Sequence, residues 1–101
     1  MTDYKTAKEE ILGTYSLEEF QKISEQGCYE GVASKHPTTK ETNEFLDKYE
    51  EEINEYITNY IGGEFLSQTM ENNDGNLVEY KHDVAYAYIN LIAFEMVDEN
   101  A

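Results

Sequence analysis

The residues able to do chemistry are few in kind and lopsided in number: two histidines, one cysteine and 22 acids in 101 residues. His36 and His82 are too few and too far apart in sequence to suggest a metal cluster. His82-Asp83 reads instead as a helix start with a titratable neighbour. The stretch MENNDGNLVEYK has the look of a calcium loop. With Gly75 taken as the loop glycine, however, Met70 and Lys81 stand at the two ends, where carboxylates are needed. Cys28 has no base beside it and defaults to a small buried residue. There is no phosphate-cradling glycine loop and no His-Glu-x-x-His pattern. A surplus of carboxylates singles out no general acid. The chain is therefore expected to be no enzyme and to hold no metal and no cofactor.

The placement of the acids is more informative than their number. Seven of them lie between Glu41 and Glu55. Wound as a helix, Glu44, Asp47, Glu51 and Glu55 fall within an arc of about 80°. Glu41 and Glu52 sit at its edge, and Glu50 alone breaks the division. Phe45, Leu46, Tyr49, Ile53, Tyr56, Ile57 and Tyr60 share the other side. The acids recur roughly every 3 Å along the helix axis, close to the ~3.4 Å spacing of phosphates on one DNA strand. Like charges at i,i+4 cost a few tenths of a kcal/mol each. A solvated face does not require this density, and Lys48 alone relieves the row. The plainer reading is a charged surface that keeps the chain dissolved.

Several elements must carry these residues. Residues 3–12 are expected to form a short helix with Ala7, Ile11 and Leu12 on its apolar side. Ser16 followed by Glu19 is a capping box that opens a second helix, with Leu17, Phe20 and Ile23, ending near Gly27. GCYEGVASKH reads as a short helix or an irregular turn. Thr38 and Glu41 form another capping box just after Pro37. Steps of three and four then carry a long helix over 39–61, in which Leu46, Tyr49, Ile53, Tyr56 and Tyr60 face inward. Gly62-Gly63 ends or bends it, EFLSQTM adds a further turn or two, and NNDGN is a turn. HDVAYAYINLIAFEMVDE is apolar almost all round. Val84, Tyr88, Leu91, Ile92 and Met96 would face the centre, with Ala85, Ala87 and Ala93 letting other helices approach. NLVEYK before it has some strand character. The predicted fold is all-α: one acidic helical domain over 1–101, with four to five helices around a buried C-terminal helix.

Composition narrows the partners. The net charge is −15, and all seven basic residues are lysines. Residues 1–40 hold 7 acids and 5 lysines, net −2, whereas residues 41–101 hold 15 acids and 2 lysines, net −13. Without arginine, and with phosphate repelled, direct nucleic-acid binding is not expected. At 40% apolar with 13% aromatic residues, the chain need not be disordered. No run approaches the ~20 apolar residues of a membrane span, and the N-terminus lacks a signal-peptide pattern. The lone Cys28 suits a reducing cytoplasm.

GCYEGVAS, YEEEINEYI and INLIAFEMVDE together resemble short acidic proteins encoded by bacteriophages and other mobile elements. The resemblance spans residues 16–99 and carries no residue roles with it. In character the chain is similar to antirestriction proteins that mimic DNA and to acidic anti-CRISPR proteins. What this implies is an inhibitor, acting in the host cytoplasm, of a basic nucleic-acid-binding defence protein. Its expected partner-binding residues are Glu41, Glu44, Asp47, Glu51, Glu52 and Glu55. The alternatives are an interaction protein using an apolar patch around Phe65, Leu66 and Met70, and a regulatory homodimer joined through surplus apolar faces.

Overall fold

A computed structural model of the chain describes residues 4–26 and 38–99. The expectations for GCYEGVASKH, including Cys28, His36 and the stop near Gly27, fall outside the described residues. Helix accounts for 85% of what is described, in five helices with no strand among the described residues. They are α1 (Ala7–Thr14), α2 (Leu17–Gln26), α3 (Thr39–Tyr60), α4 (Glu64–Asn72) and α5 (Leu77–Glu99). The chain is a small all-α bundle, as the apolar spacing predicts.

The helix starts follow local chemistry. Thr6 caps α1, its hydroxyl accepting the Glu9 N–H at 3.1 Å. Both arms of the Ser16–Glu19 capping box form, at 3.2 Å and 3.0 Å. So do both arms of the Thr38–Glu41 box, each at 3.1 Å. Such caps satisfy N–H groups that the first turn of a helix leaves without partners. Asn76 starts α5, its side chain accepting the Glu79 N–H at 3.2 Å. This start lies five residues before the expected one, so LVEYK is helix rather than strand and His82-Asp83 lies inside α5.

The stops are equally local. At the end of α3 the Ile61 and Gly62 N–H groups both return to the Ile57 carbonyl, at 2.8 Å and 3.3 Å. Gly62 then takes φ +113, a conformation that side chains oppose. NNDGN turns as its composition predicts, with Asp74 and Gly75 at φ 53 and φ 77. The Asn73 amide fixes this turn by donating to the Thr69 carbonyl and to the Asp83 carboxylate, at 2.9 Å and 3.0 Å.

Two compact units share α5. In the first are α1, α2 and the part of α5 from Ile89 onward. Its buried side chains are Ala7, Ile11, Tyr15, Phe20, Ile23, Ile89, Ile92 and Ala93, with Tyr15 and Phe20 in ring contact at 5.9 Å. Lys8 Nζ meets Glu95 Oε1 at 2.7 Å and ties α1 to α5. Leu12 and Leu17, expected on the inner faces, are exposed instead. Leu12 directly follows buried Ile11, and Leu17 lies in the first turn of α2.

The second unit holds α3, α4 and α5 up to Tyr88. Thr42, Phe45, Leu46, Tyr49, Ile53, Ile57, Thr69, Val84, Ala85 and Tyr88 are buried in it. Thr42 meets His82 and Glu52 meets Tyr88, so residue numbers rise together and the two long helices run in the same sense. Along α5 the buried positions are 84, 85, 88, 89, 92 and 93. That stripe includes Val84, Tyr88 and Ile92 as expected, but leaves Leu91 and Met96 half-buried. Leu91 lies just beyond one edge of the arc, and Met96 lies in the last turns of the helix.

Candidate carboxylate face

The carboxylates of α3 are positioned by its buried side. Phe45, Leu46, Tyr49, Ile53 and Ile57 are each at most 9% exposed, which turns the opposite side outward. Glu41, Glu44, Asp47, Glu51 and Glu55 are accordingly exposed, and Glu52 is half-buried. Tyr60 departs from the expected inward stripe at 62% exposure, because it is the last helical residue before the glycine pair.

The helix is not one straight rod. Tyr49 has non-helical backbone angles, φ −126 and ψ 27, so α3 is two helical segments joined at a kink. Neither proline nor glycine stands there to cause it. The Tyr49 ring is nonetheless buried, edge-on to Phe45 at 5.4 Å, with Lys48 Nζ 5.0 Å from its centroid. Glu41, Glu44 and Asp47 ride on the first segment, and Glu51, Glu52 and Glu55 on the second. The 100° per residue register thus holds within each group and not across Tyr49.

Three of the six carboxylates have local duties. Glu41 Oε1 accepts the Thr38 N–H in the capping box. Asp47 Oδ1 meets Lys81 Nζ of α5 at 2.6 Å. The Tyr88 hydroxyl points at Glu52 Oε2 from 3.5 Å, the outer limit of a hydrogen bond. Lys40 stands 4.0 Å from Glu44, an exposed pair worth little. The expectation that Lys48 alone relieves the row is thus corrected: Lys40 and Lys81 do so as well. Glu51 and Glu55 enter no ion pair among the described residues.

Pairing with Asp47 dominates the ionisation of Lys81. Its pKa is raised above the ordinary lysine value, chiefly by that hydrogen bond, against some desolvation and with the charges of Asp47 and Glu50 adding to it. Tyr80 beside it is also raised, first by burial and then by the charge of Glu50. Glu50, the acid that departs from the stripe, thereby acts on α5 as Asp47 and Glu52 do.

His82 has a structural duty. Its Nδ1 lies 2.7 Å from the Thr42 hydroxyl, which also lies 2.9 Å from the Thr39 carbonyl. A hydroxyl carries one proton. If Thr42 donates to Thr39, the histidine ring must donate from Nδ1. The ring also packs edge-on against Tyr86 at 4.4 Å. Among the described residues no group of three or more His, Cys, Asp or Glu side chains could hold a metal ion, and no helix is long and apolar enough to cross a membrane.

No family model, curated protein or solved structure matches this chain.

Proposed function

We propose that this chain is an inhibitor of a basic nucleic-acid-binding protein, of the antirestriction or anti-CRISPR kind and encoded by a bacteriophage. Its carboxylate face would occupy a Lys/Arg groove meant for DNA or RNA. The observation that carries this reading is the outward display of Glu44, Asp47, Glu51 and Glu55 on one helix. Glu51 and Glu55 are the core of the surface, because neither enters an ion pair among the described residues. Asp47 contributes less, since Lys81 already neutralises it. Glu41 is held by its cap and is marginal to binding.

Charge-steered binding of this kind weakens as salt rises. The rival patch around Phe65, Leu66 and Met70 has less to offer a partner, for all three are half-buried.

The test begins with affinity capture from phage-infected cells and continues with competition between the captured protein's nucleic acid and this chain. E44Q/D47N/E51Q/E55Q is expected to weaken the complex sharply and to flatten its salt dependence. E18Q/E19Q/E25Q, removing similar charge from α2, is expected to do much less. Equal losses from both sets would indicate diffuse attraction alone. Full activity of the four-residue variant would sink the proposal.

A further inference from the structure

The charge pattern leaves one feature of α3 unused. Tyr56 and Tyr60 stack face to face, centroids 4.5 Å apart and planes 22° apart. Buried Tyr88 holds Tyr56 edge-on at 5.3 Å and 77°. Tyr60 is therefore backed on one side by a ring that the core fixes, while 62% of it is exposed. Ile61 beside it is 50% exposed. Such a rigid, wet aromatic face on a chain of net charge −15 calls for a cationic occupant.

Its neighbours agree. Glu52, Tyr56 and Tyr60 form one i,i+4 row along the helix, and Glu55 lies one turn from Glu52. A cation laid on Tyr60 thus lies a little over two turns along this row from one carboxylate, Glu52. The same helix already seats a cation on a tyrosine, Lys48 Nζ over Tyr49 at 5.0 Å. Between the two natural cations the physics favours arginine. Its guanidinium is planar and weakly hydrated, and it stacks on aromatic rings while its N–H groups reach carboxylates. The lysine ammonium holds its water more strongly.

We propose that Tyr60, backed by Tyr56, is the seat for an arginine side chain of a basic protein partner. This rests on the charge-mimic reading and names the side chain that the partner must present.

The test is an NMR titration of the isotope-labelled protein with nona-arginine and, separately, nona-lysine, at matched ionic strength. Shifts with nona-arginine are expected to centre on residues 56–61. Y60A is expected to weaken nona-arginine by roughly two- to five-fold, the size of an exposed cation–aromatic contact, and nona-lysine by less. Y60F, which keeps the ring, should bind like the parent. Circular dichroism should be unchanged in both variants, because Tyr60 lies outside the core. Equal losses for the two peptides, or none, would overturn the arginine seat while leaving charge mimicry standing. Binding of neither peptide would overturn both. Tyr60 shifts that depend on protein concentration alone would give the patch to a second copy and overturn it too.

Discussion

Lys81 reaches from α5 to Asp47 across 34 residues of sequence, and that contact gives the protein an alkaline limit. Its raised pKa means that the folded chain holds the lysine proton more tightly than the unfolded chain does. The stabilisation is complete below the unfolded lysine value and is lost as pH rises through the higher folded one. The raised Tyr80 acts with the same sign, since the unfolded phenol ionises first. Melting temperature should therefore decline as pH rises above the ordinary tyrosine and lysine values, about 10, and K81M should flatten part of that slope. Thermal melts of parent and variant from pH 8 upward check this; parallel curves would count against it. Neither this contact nor the Thr42–His82 bond could be read from the sequence. The stretch from Lys40 to Glu55 shows a row of acids and the lysines within it. It gives no sign of a lysine that approaches from another helix. The capping boxes, by contrast, were legible, because both partners lie within one turn.

At the scale of elements, legibility follows the range of the forces. Caps, the glycine stop after α3 and the NNDGN turn are local, and each lies where residue type places it. The start of α5 is hard to read because Asn76 caps it from within a turn-like run, and Leu77 and Val78, exposed at its head, blur the periodicity. The kink at Tyr49 is not legible in the sequence, because neither proline nor glycine stands there to mark it. The apolar surround of α5 likewise hid which residues are central. Ile92 is fully buried and Leu91 half-buried, so their truncations should separate. I92A is expected to cost about 2–5 kcal/mol, and L91A to fall at or below the low end of that range. Urea unfolding of the two variants measures the gap. A larger loss at Leu91 would mean that the inner arc of α5 is wrongly placed.

For the whole molecule the governing quantity is charge of one sign. Residues 41–101 alone carry 15 acids against 2 lysines, net −13, so pairing within this stretch cannot offset it. Screening acts on both sides of this balance. Salt weakens the Lys8–Glu95 and Lys81–Asp47 pairs, which favour folding, and weakens the repulsion among like charges, which opposes it. The pairs are few and at contact distance, where partial burial limits screening. The repulsions are many and long-ranged, and the Debye length falls from ~30 Å at 0.01 M to ~8 Å at 0.15 M. Repulsion should therefore lose more, and the melting temperature should rise as sodium chloride is added over that range. Chloride is the salt to use, because sulfate would stabilise by exclusion from the surface whatever the charge. E51Q/E55Q, which removes two acids and breaks no ion pair of the described residues, should raise the melting point at low salt and shrink its salt dependence. Calorimetry of parent and variant at several chloride concentrations measures both effects. A melting temperature that falls steadily with chloride would mean that the few pairs outweigh the many repulsions. The dense carboxylate face would then carry no stability cost, and cost without structural benefit is the physical reason to read that face as serving a partner.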